Sequence, residues 1–407
     1  MIPGRSRSRN KLQKALISPP RLRDGDEKHR HARWIELFYD LVFAVVIYQL
    51  DLHYSQHFQF KETVHFVLVI VPVWWAWVGQ TLYLSRFDTE DVFHSILIFL
   101  QTVFVAEMAV QINAALTGDP SGFILSYVGI RSIVVFEYAW AGYHNKHVRA
   151  LAYPYAAGFA GAACLWLLSI VVPPIWGIYI RILALTLDII TPFLFYKAQT
   201  QYKPHFSHVP ERFSQFTTVL IGEAVSCAVT GTSPGGLFSS HTLVGSPGLV
   251  IAFSLAWTYY EGVQAASERR LTNSKDGSRF RIWLYLHLPL TASLTAIAAG
   301  YRCLMNLPPF LPVAYHIEAL FCVISFGCIT VFNLLFITRQ NRPTIKSICK
   351  IWVSHWIVSL VILIPLVLPY RLNPVELAMI PALVTALKVA MILKHAVYTD
   401  ERIPVVL

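Results

Sequence analysis

The chain has 407 residues, of which 55% are hydrophobic and only 14% charged. A soluble protein carries roughly a quarter charged residues, so this chain has too little polar surface to face water on all sides. The formal net charge of +10 does not point to nucleic acid, because the Lys and Arg residues fall in the tails and in alternate loops rather than on one basic face.

In chain order, residues 1–33 come first, polar and rich in Arg and Lys, with Pro19-Pro20 in their midst. This composition predicts a disordered basic cytoplasmic arm that lies near anionic lipid or acts only as a topology signal. The first apolar run starts after the arm and contains Glu36 and Asp40. With no small-residue cleavage site behind it, it reads as a retained segment, not a signal peptide.

Apolar runs long enough to cross a bilayer fall near 34–52, 62–84, 92–116, 121–143, 150–172, 175–196, 211–231, 247–266, 281–303, 313–338, 348–369 and 374–394. About 20 apolar residues span the hydrocarbon core as a helix, and the runs lack the period-two alternation of a barrel. The fold class expected is therefore all-α, a polytopic transmembrane helix bundle of about 12 helices. The breaks carry turn chemistry, as at Gly118-Asp119-Pro120, Pro173-Pro174 and Asn373-Pro374. Positive charge recurs in every second loop, which places both termini in the cytoplasm of a cell membrane protein.

Glu36-Leu37-Phe38-Tyr39-Asp40 opens the first run, and the related Glu211-Arg212-Phe213-Ser214-Gln215 opens the seventh. The match suggests two six-helix halves in parallel orientation, residues 34–210 and 211–394, followed by a short cytoplasmic tail at 395–407.

Charged residues inside the runs are the candidate functional groups, since a charge at mid-bilayer costs from about 2.5 to more than 10 kcal/mol. Glu36 and Asp40 are four residues apart and share one helix face. Glu107 lies in the third run, Arg131 and Glu137 in the fourth, Arg181 and Asp188 in the sixth, Glu223 in the seventh and Glu261 in the eighth. One reading is an ion or proton pathway formed by Glu36, Asp40, Glu107, Asp188, Glu223 and Glu261, with Arg131 and Arg181 as counter-charges. The other is static pairing that fixes helix packing. Arg86, Asp88 and Asp91 are expected to clamp the turn between the second and third runs.

The six cysteines are scattered without a CxxC pair and read as buried helix residues, with no disulfide framework and no metal site. His287, His316 and His355 read as packing residues. Trp74, Trp75 and Trp77 suit an interfacial belt or tight helix packing. No nucleophile–base constellation or phosphate loop is visible, so neither an enzyme nor a cofactor is expected.

Three segments carry a family resemblance. Trp34-Ile35-Glu36-Leu37-Phe38-Tyr39-Asp40-Leu41-Val42-Phe43 resembles the opening signature of the bacterial low temperature requirement A (LtrA) family. Arg86-Phe87-Asp88-Thr89-Glu90-Asp91 is similar to the stretch after that family's second helix. Pro210-Glu211-Arg212-Phe213 with Leu220-Ile221-Gly222-Glu223 is similar to a later one, Ser214 standing where the family usually has Gly. The resemblance covers roughly residues 31–395. It implies a multi-pass membrane protein linked by name to growth in the cold, and it supplies no reaction. The two functions left open are movement of a small cation or protons, and a non-transporting sensor or scaffold that supports growth at low temperature.

Overall fold

The computed structural model describes residues 16–23, 32–88, 91–195, 201–202, 204–205, 208–230, 240–260, 277–338 and 345–399. Twelve α-helices occur among them. The first six are α1 (Trp34–Gln56), α2 (Phe60–Arg86), α3 (Val92–Thr117), α4 (Ser121–His144), α5 (Arg149–Val171) and α6 (Pro174–Leu194). The others are α7 (His208–Thr230), α8 (Ser240–Tyr259), α9 (Gly277–Met305), α10 (Tyr315–Thr338), α11 (Ile345–Leu360) and α12 (Pro374–Thr399).

Nine of these helices are long and apolar enough to cross a membrane. Helices α1 and α7 are not among the nine, because acids and bases interrupt their apolar runs: Glu36, Asp40 and Asp51 in α1, and Glu211, Arg212 and Glu223 in α7. The remaining exception is α11. A single span was expected over 348–369, but the α-helix ends at Leu360 and the chain tightens into a 3-10 stretch over Val361–Val367. Pro365 is the cause, since it has no amide hydrogen to donate and its ring crowds the carbonyl four residues back. Helix α8 begins at Ser240 rather than at 247, with Pro247 inside it.

The chain divides into two compact units. Unit 1 holds residues 1–46 and 71–212, and unit 2 holds residues 47–70 and 213–407. In unit 1, α3, α4, α5 and α6 pack each against the next in sequence order. Short turns make such neighbours antiparallel. Gly118 closes α3 at φ +150°, a conformation that L side chains rarely adopt, and its amide donates to Ala114 O. The aromatic core of unit 1 includes Trp74, Trp75, Trp77, Tyr127, Tyr138 and Tyr155, all buried. Of the two readings of the tryptophan run, tight helix packing is the one observed. In unit 2, α8 packs on α12 and α9 on α10, and α10 also meets the 3-10 stretch after α11.

One expectation about the arm needs correction. Disorder was expected over all of 1–33, but Arg21–Leu22 (β1) pairs antiparallel with Phe87–Asp88 (β2). The arm is held because Arg21 and Arg23 both reach Asp88, at 3.4 and 3.0 Å, and the Arg23 amide donates to Arg86 O. Residues 1–15 and 24–31 lie outside the described residues, as do 400–407 in the tail.

Candidate functional site

The charged interior of unit 1 starts from a match of spacing. Glu36 and Asp40 lie one turn apart on α1, and His208 and Arg212 lie one turn apart on α7. Residues at i and i+4 share a helix face, so the two pairs meet rung to rung. His208 Nε2 lies 2.7 Å from Glu36 Oε2, and Arg212 Nη2 donates to Asp40 Oδ1 at 2.7 Å. Arg212 Nε stands 3.8 Å from Glu36 Oε2, tying the rungs together. Trp77 Nε1 donates to Asp40 Oδ1 at 2.7 Å, and Ser85 Oγ lies 2.8 Å from His208 Nδ1. All six side chains are buried.

A second pair joins α4 to α6. Arg131 Nη2 donates to Asp188 Oδ1, and Tyr127 Oη donates to Asp188 Oδ2. The guanidinium sits 4.2 Å from the Phe159 ring centroid, a cation–π contact that desolvation strengthens. Gly79 on α2 makes room for it, since a Cβ there would collide with Arg131 Nη1.

Glu137 differs from these acids. It is fully buried on α4 yet has no ion pair among the described residues. Gln80 Nε2 donates to its Oε1 at 3.3 Å, and Gln101 Nε2 donates to Gln80 Oε1 at 3.0 Å. Glu137 Oε2 has no hydrogen-bond partner among the described residues. Tyr39, beside Asp40 on α1, lies within electrostatic reach of Glu137, Arg131, Asp40 and Arg212. Glu137, Tyr39, Asp40 and the His208–Glu36 rung thus share one charged region of unit 1, although Tyr39 Oη has no hydrogen-bond partner among the described residues.

The Arg86–Asp91 segment divides its work. Arg86 donates from Nε to Tyr202 O at 3.2 Å and from Nη1 to Tyr138 Oη at 3.1 Å. Asp88 receives the arm, as described above. Asp91 caps α3, accepting from the His94 amide at 2.9 Å and facing His94 Nδ1 at 2.7 Å.

Unit 2 has its own cluster. Arg302 Nη2, on α9, donates to Asp51 Oδ2 at 2.7 Å and Glu223 Oε1 at 2.9 Å, and lies 3.1 Å from Cys227 Sγ. Asp51, Glu223 and Cys227 bring ligand atoms within 4.8 Å of one another, a set of the kind that holds a divalent cation. One guanidinium nitrogen touches all three and supplies the positive charge there. Glu318 lies 3.6 Å from Arg371.

Of the acids proposed from sequence, Glu36, Asp40 and Asp188 sit in unit 1 and Glu223 in unit 2. Glu107 does not join them. It is exposed on the outward face of α3, where Gln111 donates to it at 2.7 Å. Glu261 lies outside the described residues. Arg131 meets Asp188, whereas Arg181, on the same helix as Asp188, has no ion pair among the described residues. Four described cysteines are buried, and Cys164 is exposed on α5.

Sequence reasoning missed His208, Arg212, Asp51 and Arg302 as members of the charged set. Spacing carried part of the signal. Asp40 and Asp51 are eleven residues apart, close to three whole turns, and so are Arg212 and Glu223, which places each pair on one face. Nothing in the sequence marks Arg302 as their partner, since it comes from a helix 79 residues beyond Glu223.

Nine membrane-length helices among the described residues define an integral, multi-pass membrane protein. The family model described as "Bacterial low temperature requirement A protein (LtrA)" matches residues 31–393, and the chain belongs to that family. It is also similar to an uncharacterized protein, RA0937, of Rhizobium meliloti (strain 1021), with 23% identity over 295 residues, 69% of this chain and 71% of the relative.

Proposed function

We propose that this protein moves protons across the cell membrane through the buried polar chain of unit 1, with both termini in the cytoplasm. The observation that carries this reading is Glu137. Asp40 and Asp188 are each tied to an arginine, so protonating either one leaves a buried cation unpaired, at a cost of several kcal/mol. Glu137 can take up or release a proton without breaking an ion pair. Tyr39, Asp40 and the His208–Glu36 rung lead away from it, and chains of Glu, Asp and His inside membranes are the usual material of proton relays. A proton fits better than a metal cation because a single carboxyl can carry a proton, whereas a metal ion takes several oxygen ligands. The reading makes the protein a carrier or channel and not an enzyme.

The test is proton flux into proteoliposomes of purified protein, followed with an entrapped pH dye under an imposed gradient. Wild type is expected to acidify the lumen, Glu137→Gln to lose at least nine-tenths of the rate, and Glu107→Gln to keep it. Absence of flux in the wild type, or full flux in Glu137→Gln, overturns the proposal.

A second reading is a non-transporting protein that supports growth at low temperature by organising partners. The arm favours it, because Arg21 and Arg23 are clamped onto Asp88 beside the family's Arg86–Asp91 segment. It predicts that deleting residues 1–23 abolishes the cellular role while Glu137→Gln leaves it intact.

A further inference from the structure

Lys388 stands apart from the other buried charges described in unit 2. It lies on α12 with 6% of its surface exposed, and its Nζ donates to Asn333 Oδ1 on α10 at 2.6 Å. Among the described residues it has no ion pair. Asn333 is held in that orientation because its Nδ2 donates to Ser359 Oγ at 3.3 Å. An ammonium group has three hydrogens to donate, and Asn333 accepts one.

Lys388 also lines a narrow, open-mouthed pocket between α8, α10, α11 and α12. Its wall is mostly apolar, with Leu255, Ile329, Phe332, Trp356 and Ile392, and Asn333 lines it beside Lys388. A cation held in an apolar interior without a carboxylate costs several kcal/mol. Elsewhere in unit 2 such costs are met by protein acids, as at Arg302. At Lys388 the space beside the charge is a pocket.

We propose that this pocket binds a monocarboxylate carrying an apolar tail, with the carboxylate on Lys388 Nζ and the tail along Phe332, Trp356 and Ile392. One cation matches one negative charge, which favours a carboxylate over a doubly charged phosphate. The charge-assisted hydrogen bond is the stronger kind, and the apolar wall accounts for the tail. This site belongs to unit 2 and stands independently of the proton pathway in unit 1.

The probe is decanoate, added to the full-length protein in nanodiscs. Its brominated analogue is expected to quench tryptophan fluorescence, and the quenching is assigned to the pocket by its loss in Trp356→Phe. Lys388→Met is expected to weaken binding at least tenfold, and Lys388→Arg to stay within about threefold of wild type. Ile392→Phe, which fills the pocket and leaves the charge in place, is expected to weaken binding as well, so the result does not depend on Lys388→Met folding. Decanol and acetate separate the two halves of the ligand, and each is expected to bind at least tenfold more weakly than decanoate. Equal binding of decanol, acetate or chloride, or unchanged decanoate affinity in both Lys388→Met and Ile392→Phe, overturns the proposal.

Discussion

Arg302 reaches Asp51, Glu223 and Cys227 with Nη2 and donates to Asp51 a second time from Nε. Removing it leaves two carboxylates facing each other in a largely apolar interior. Breaking a buried pair costs about 3–5 kcal/mol, so Arg302→Met is expected to lower the unfolding temperature in detergent by many degrees. Asp51→Asn in the same chain is expected to restore part of the loss, because it removes one of the stranded charges. An additive double mutant would contradict the contact, since groups in one network couple by about 0.5–3 kcal/mol. His208 and Arg212 carry a similar lesson at this scale. Their acid partners were legible from sequence as charges that needed neutralising. The partners themselves were not, because a contact between residues 172 positions apart leaves no local trace.

At the scale of the element, α2 depends on a residue it lacks. Gly79 leaves the room that Arg131 fills, so Gly79→Ala pushes a methyl group into the guanidinium and disturbs its bond to Asp188. Thermal unfolding is expected to show a loss of at least about 2 kcal/mol, the scale of overpacking added to a strained buried pair. Helix α3 offers a milder case. Asp91→Ala deletes its N-cap and is expected to cost about 1 kcal/mol in the same assay; no change would mean that the cap is not needed. Most helices were legible because hydropathy and turn residues act locally. The failures have physical causes: Pro365 ends α11 early through a backbone effect, and the strand at Arg21–Leu22 forms only because Phe87–Asp88 offers its backbone and a carboxylate. Glu107 shows another limit. A run apolar all round gives no sign of which face turns inward, so an acid in mid-run reads as interior until the helix is placed.

For the whole molecule, the charge alternation of the loops predicts a definite topology. In a background without the six native cysteines, one placed at Asp119 is expected to react with an impermeant maleimide in intact cells. One placed at Lys146 is expected to react only in inside-out vesicles. Labelling of both from the same side would break the alternation and with it the cytoplasmic placement of the termini. Membership of the LtrA family extends over residues 31–393, so the charged rungs of unit 1 and the Arg302 cluster both lie within the family's span.

Arg302 carries its charge on a covalent stem, and that has a consequence for the ions in the medium. The cluster in unit 2 brings its own cation, so exchanging sodium for potassium or adding a chelator is expected to leave its stability unchanged. Shortening the stem in Arg302→Ala leaves the ligand atoms of Asp51, Glu223 and Cys227, within 4.8 Å of one another, dependent on an ion from solution. Such a variant is expected to unfold at a higher temperature when cadmium is added, a response the parent protein lacks.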